Sequence, residues 1–303
     1  MPPGIGTEVS APPRLLIITA DDFGLSAGVN EGIQLAHAAG GLTATTVLAN
    51  GLTAEEAGEL YARWPGLDVG LHVNLTLGRP VADPATVRSL VDAAGQLLSG
   101  RELMRRALRG NVRPDEVRRE VEAQISRLRS LGVRLSHWDA HQQAAFWPGL
   151  VGPVAAATWD AGLRCARTPW VQPLDVHRSA AMARWRWRGG RPFRLGSDAH
   201  RRLAASRLGR RFALPDRQLS PNLVSGATEL AERWECVLTL PPAGVSEAVS
   251  HPAVVDADLL RLAPNSGPAR AIDLSVLSDK SLGARLNTRG ITLIGFRDLS
   301  GPA

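Results

Sequence analysis

The chain has 303 residues, 44% hydrophobic and 21% charged, a balance that suits a soluble protein with one sizeable core and excludes an intrinsically disordered chain. No run of about 18 apolar residues occurs, which argues against a membrane span, and the opening MPPGIGTEVSAPPR has no basic start leading into an apolar stretch, so a cytoplasmic location without a secretory signal is expected. The net charge is +6, carried almost wholly by arginine with Lys280 the one lysine, and it favours an anionic partner only weakly.

Residues 1–13 read as a short flexible leader and 14–303 as a single domain. Leu15–Thr19 predicts a strand that runs into two adjacent carboxylates, Asp21 and Asp22. Ser26–Ala39 predicts a helix, with Ser26 as its N-cap and Gly40-Gly41 at its end. Thr45–Leu48 is a β-branched run, Ala54–Arg63 a short helix, and Leu67–Val73 the next strand. Pro114–Leu131 is the clearest helix: Val117, Val121, Ile125 and Leu128 recur three or four apart, Pro114 suits the first turn and Gly132 the exit. A strand over Val133–Trp138, a helix over Leu150–Ala161 and a short strand over Leu163–Ala166 follow. From Arg184 to Arg211 there are ten arginines and one acid, Asp198, interleaved with Trp185, Trp187 and Phe193. That segment reads as an arginine-rich insertion with a solvated face, or as a surface for phosphates, bases or sugar rings. Beyond it, Trp234–Thr239 and Val245–Val249 predict strands, Asp256–Leu262, Ala269–Leu277 and Lys280–Thr288 predict helices, and Ile291–Gly295 a closing strand. The alternation argues for a parallel sheet rolled into a barrel. Cys165 and Cys236 have no histidines at metal spacing and read as free thiols.

The chemistry lies in the polar residues at strand exits: Asp21 and Asp22 after the first strand, His72 and Asn74 in GLHVNLT, His137, Asp139 and His141 in LSHWDAHQQ, and His251 in SEAVSHP. In parallel α/β folds the carboxyl ends of the strands share one face, where residues far apart in sequence converge. One aspartate and two imidazoles with open positions make a catalytic metal site. A cation on one aspartate would also explain how its neighbour stays ionised. Singly these residues have plainer uses, as turn or helix caps and structural histidines. Trp138, Trp147 and Trp170 could floor a sugar cleft or simply pack the core, and Arg167 could touch substrate or form an ion pair.

TADDFGLSAGVNEGI, GLHVNLTLGRP, WDAHQQ and SEAVSHP, in that order, together with RAIDLSVL and GITLIGFRDL near the end, resemble the YdjC-like carbohydrate deacetylases, which are best known for chitooligosaccharide deacetylation. The resemblance implies an irregular (β/α) barrel of mostly parallel strands with outer helices. It also implies one divalent metal on Asp22, His72 and His141, with zinc, magnesium, cobalt and manganese not distinguished, Asp21 as general base and His251 as a candidate acid. The implied activity is metal-dependent N-deacetylation of an N-acetylated amino sugar, small oligosaccharide or glycoconjugate, with Asn74, Asp139, Trp138 and Arg167 as candidate substrate contacts. The chain departs from the family where Asp-Ser-His-Gln-His-Val-His becomes Asp139-Ala140-His141-Gln142-Gln143-Ala144-Ala145, where the glycine after His-Pro becomes Ala253, and where a late glutamate becomes Asp273. A complete ligand set with altered surroundings points to a changed substrate or weaker activity more than to a dead site. Two alternatives stay open: another metal-dependent amide or ester hydrolase, and a retired barrel that holds an anionic polymer through 184–211. The intact site residues argue against the second and against nucleic acid. Oligomeric state stays open, a homodimer included.

Overall fold

The computed structural model describes residues 12–175, 191–225 and 227–299. The first eleven residues of the expected leader, and residues 184–190 of the arginine-rich segment, lie outside them. Ten strands and ten α-helices, counted among the described residues, alternate along the chain.

The central strand β1 (Arg14–Phe23) is buried from Leu16 onward. Its parallel neighbours include β2 (Ala44–Val47) on one side and β9 (Gly244–Ser250) on the other. Beyond β2 lie β3 (Asp68–Val73), β4 (His137–Ala140) and β5 (Cys165–Ala166), and beyond β9 lies β7 (Arg217–Leu219), every pairing parallel. The closing strand β10 (Ile291–Leu293) pairs with the start of β1. A separate small sheet joins β6 (Leu174–Asp175) and β8 (Val224–Ser225). The two edges of the main sheet meet through single parallel bridges, Cys165 to Ala213 and Val171 to Gln218. The result is the irregular barrel expected from the sequence, closed on this side by bridges instead of a ladder.

Side chains alternate along β1, so Ile17, Thr19 and Asp21 share a face. Ile17 joins Ala44, Cys165, Ala213 and Phe296 in a small apolar cluster separate from the main core, which plugs the barrel beneath its polar end. Cys165 is a buried free thiol there and Cys236 a half-buried one, as the sequence led us to expect.

The helices cover the outside. The first, α1 (Ala27–Ala38), starts at Ser26, whose hydroxyl accepts the Val29 N–H. Its face toward β9 carries Gly28 and Gly32, where a Cβ would meet the Val254 carbonyl oxygen at 2.0 Å and the Ala253 Cα at 2.5 Å. These two glycines let the chain after His251 lie directly against the helix. The helix α4 (Pro114–Ser130) buries Val117, Val121, Ile125 and Leu128 as its periodicity requires. It also buries Glu120 and Gln124. Glu120 accepts the Val81 and Ala82 N–H groups at 2.9 Å each, and Gln124 bridges both backbone groups of Asn74, so the helix pins the loop after β3. The remaining helices are α2 (Ala57–Arg63), α3 (Gly100–Leu108), α5 (Val151–Asp160), α6 (Arg191–Leu208), α7 (Leu230–Thr239), α8 (Ala257–Leu262), α9 (Gly267–Leu277) and α10 (Leu282–Thr288).

Three expectations are corrected. The first strand continues through both aspartates to Phe23: Ala20 pairs with Thr45 but Phe23 with Val47, so β1 holds one residue more than β2 there. Trp234–Thr239 is helical, because Trp234, Val237 and Leu238 fall on one buried helical face and Glu232 accepts the Glu229 N–H at its start. The strand expected at Val133–Trp138 forms only from His137 to Ala140. In α6, the described half of the arginine-rich segment is anchored to the body of the protein: His200 Nε2 lies 2.8 Å from the Phe146 carbonyl, and the Arg202 guanidinium stacks 4.0 Å over Trp170.

Candidate metal centre and active site

The extra residue in β1 answers why two carboxylates stand side by side. A regular strand sends neighbours to opposite faces, whereas a bulge re-aims one of them. Asp22 takes a left-handed backbone with φ 73°, a conformation that aspartate tolerates better than most residues. Asp21 and Asp22 therefore line the same cleft of about 380 Å³, together with His72, His141, His251, Gln143, Gln218 and Arg270.

Three donor atoms converge in it. Asp22 Oδ1 lies 3.1 Å from His141 Nδ1 and 3.3 Å from His72 Nε2, and the two imidazole nitrogens are 3.3 Å apart. A tetrahedral ion with bonds of about 2.0 Å has ligand-to-ligand edges of about 3.3 Å, so these spacings match one face of such a shell. The carboxylate–imidazole donor set fits a divalent cation. His72 is held for that task from behind: its Nδ1 faces Asp139 Oδ1 at 2.6 Å, with Thr46 Oγ1 at 3.0 Å, which leaves Nε2 toward the site. Burial disfavours a charged His72, but Asp139 and Asp21 outweigh it and lift the imidazole to about 10. The pocket calls for positive charge.

Beneath the ligands lies Arg167, fully buried. Its Nη1 and Nη2 grip both oxygens of Asp21 at 2.8 and 2.7 Å, Nη1 also reaches Asp139 Oδ2 at 2.6 Å, and Nε and Nη2 both meet Glu247 Oε1 at 2.8 Å. One guanidinium thus joins the candidate base to the residue that orients His72. Burial would raise the Asp21 pKa, yet Arg167 prevails and holds it at about 2. Asp21 stays ionised because of this arginine, not only because of a cation on its neighbour. Asp22 is likewise lowered, against its burial, by His141, His72 and Arg270; Arg270 Nη2 sits 2.5 Å from Asp22 Oδ2.

Glu247 is the strained member of this cluster. It is fully buried, its Oε2 has no hydrogen-bond partner, and burial together with Asp139 and Asp21 pushes its carboxyl to about 7 despite Arg167. A carboxyl whose folded pKa exceeds its unfolded value of 4.5 costs stability as pH rises between the two. Glu247→Gln is therefore expected to flatten the loss of thermal stability between pH 5 and pH 8, read as Tm against pH. An unchanged slope would show that Glu247 ionises freely.

The remaining residues singled out in the sequence are placed as follows. His251 is 42% exposed at the cleft, its Nε2 3.8 Å from Asp21 Oδ2. Arg167, Asp139, Trp138 and Asn74 are all buried, at 0, 0, 0 and 1% exposure, and none lines the cleft, so the expectation that they touch substrate gives way to internal roles. Trp138 packs between Phe146 and Phe212. Asn74 ties its loop by accepting the Thr76 and Leu77 N–H groups and donating to Asn50 Oδ1 and the Leu77 carbonyl. Trp147 packs against the core and Trp170 lies under Arg202. His137 stacks on Phe296 at 3.7 Å in the interior, and burial keeps it neutral. Of the departures from the family pattern, Gln143 reaches Gln218 at 3.5 Å at the cleft wall, Ala145 is fully buried, and Ala253 fills the contact with Gly32. Sequence reasoning passed over Thr46, Glu247 and Arg270. The one available signal was Glu247, the single charged residue inside a buried strand.

Comparison with known proteins identifies the family of the chain. The profile of the family described as YdjC-like protein matches residues 15–288. A chitooligosaccharide deacetylase of Serratia marcescens is 31% identical over 293 residues, covering 94% of this chain and 99% of that protein. A carbohydrate deacetylase of Mus musculus is 34% identical over 311 residues, covering 95% of this chain and 96% of its own. Among solved structures, a candidate cellobiose-phosphate cleavage protein of Enterococcus faecalis superposes with a TM-score of 0.70 at 25% identity, over 94% of this chain and 98% of that one. By its profile match, its full-length relatives and its fold, the chain belongs to the YdjC-like family.

Proposed function

We propose that the protein is a metal-dependent N-deacetylase that hydrolyses the acetamide of an N-acetylated amino sugar or short oligosaccharide, with one divalent ion on Asp22, His72 and His141. The observation that carries this reading is the meeting of these three donor atoms within 3.1–3.3 Å at a cleft that also holds Asp21 and His251. The deacetylase names of the full-length relatives support the acyl chemistry. Zinc, cobalt, manganese and magnesium all suit one carboxylate and two imidazoles. When bound, the ion supplies Lewis-acid polarisation of the acyl oxygen and lowers the pKa of a water beside it.

The chain's own residues then handle the protons. Asp21, ionised and fixed by Arg167, accepts a proton from the attacking water. The proton passes from Asp21 to His251, whose Nε2 is 3.8 Å away. His251 delivers it to the leaving nitrogen as the C–N bond breaks; the new C–O bond ends in acetate, and the sugar departs as an amine. Asp139 keeps the His72 Nδ1–H engaged and so holds Nε2 in place for the ion.

Acetate release from N-acetylglucosaminyl oligomers, measured with and without chelator, tests the reading. Release that stops on chelation and returns with added metal is expected. Hydrolysis of acetyl esters but not acetamides would move the protein to another hydrolase class, and release indifferent to chelator would remove the metal from the mechanism.

A further inference from the structure

Helix α9 touches the site at two points one turn apart, and neither is among the metal ligands or proton carriers. Arg270, 93% buried by its 7% exposure, reaches into the cleft wall and pairs with the Asp22 oxygen that faces away from the imidazoles. Asp273, 6% exposed, accepts the indole N–H of the fully buried Trp234 with one oxygen at 2.6 Å and the backbone N–H of His251 with the other at 2.9 Å. The same helix receives the Ala253 N–H on the Arg270 carbonyl at 3.4 Å. Arg270 also lies where the main cleft meets an adjoining cavity of about 270 Å³ lined by Asp273 and His251.

We propose that α9 is the positioning element of the site: Arg270 sets the rotation of the Asp22 carboxylate and hence the metal shell, while Asp273, braced by Trp234, sets where the His251 imidazole stands relative to Asp21. The argument is geometric. A carboxylate left to rotate about its terminal bond presents either oxygen to the ion, whereas a charge-assisted contact on Oδ2 leaves Oδ1 for ligation. His251 follows the end of β9 with a partly exposed side chain whose imidazole stands 3.8 Å from Asp21, so its position depends on how its backbone is held. Asp273 fixes it there. Two residues spaced i, i+3 on one rigid helix hold the two functions at a constant separation. The helix begins with Gly267 and Pro268 and buries Leu277 beside Gly41, which anchors both of its ends.

The proposal rests on the deacetylase reading only for its kinetic arm. The expected result is a separation of effects between two variants of the full chain. Arg270→Met raises the Kd for cobalt(II), titrated by its visible absorption, by about 10- to 100-fold. Asp273→Asn leaves that Kd within about twofold, speeds backbone amide exchange of His251, and lowers kcat by about 10- to 100-fold with little change in KM, the scale of a misplaced proton carrier. If Asp273→Asn does not fold, Trp234→Phe removes the indole N–H brace, at the cost of some buried volume, while keeping Asp273, and the same direction in exchange and kcat is expected with a smaller size. Loss of cobalt affinity to the same extent in both variants, or unchanged His251 exchange in Asp273→Asn, overturns the proposal. Absence of acetate release by the unsubstituted protein defeats the deacetylase reading alone, because cobalt titration and amide exchange still decide the roles of Arg270 and Asp273.

Discussion

Asp22→Asn is expected to release the metal on dialysis and to lower kcat/KM for an N-acetylated sugar by about a thousandfold or more, since an ion that stabilises developing charge contributes several kcal/mol and each 1.36 kcal/mol is a factor of ten. The substitution is chosen for its backbone. Asp22 holds φ 73°, where asparagine is comfortable and alanine is not. Asparagine keeps an oxygen for Arg270 and the shape of the side chain but gives up the anionic ligand. Function should collapse further than fold: the buried Arg270 loses its anionic partner and Tm falls, but the backbone stays unstrained, while metal content and turnover are lost. Asp22→Ala should lose both, with roughly 1–2 kcal/mol of added backbone cost. Stoichiometric metal in Asp22→Asn, with turnover within tenfold of normal, would mean that the ion, if any, sits elsewhere.

The candidate cluster was legible in the sequence because polar residues gather at the ends of three parallel strands, but each end offered two or three, and the choice of Asp22, His72 and His141 came from the family resemblance. The capped helices were legible for a similar local reason: Ser26 and Pro114 mark starts that depend on one or two neighbouring residues. What escaped depends on relations across the chain. A single extra residue in β1 breaks no pattern in LLIITADDFG, yet it decides that both aspartates face the cleft. Arg167 in RTPW reads as a surface residue until Asp21, Asp139 and Glu247 are brought around it from three other strands. The WECVLTL stretch held apolar residues dense enough to pass for a strand, and only the buried face shared by Trp234, Val237 and Leu238 identifies its period. Asp273 could be seen as a departure from the family but not as the partner of His251, because that contact crosses 22 positions.

Arg167→Met is expected to be the most destabilising single substitution in the barrel, by about 3–5 kcal/mol, because it strands three buried carboxyls without their cation. At about 2–4 °C per kcal/mol for a chain of this order of size, Tm should fall by roughly ten degrees. Its pH dependence identifies the cause. In the unsubstituted protein the Asp21 pKa is lowered from 3.8 to about 2, so Asp21 contributes roughly 2 kcal/mol of stability that is present above pH 3.8 and lost as pH falls through 2. Without Arg167 the largest influence lowering Asp21 is gone and only His72 and His251 oppose its burial, so its folded pKa rises and its contribution to stability shrinks. The stability gap between the two proteins should therefore be widest at neutral pH and narrow on acidification. Glu247 is pushed up to about 7 even beside Arg167 and is protonated without it, so Glu247→Gln in the Arg167→Met background should change stability little, a coupling that shows the arginine holds its charge. A gap that stays constant from pH 7 to pH 4 would assign the loss to packing of the arginine side chain and not to the charges it joins.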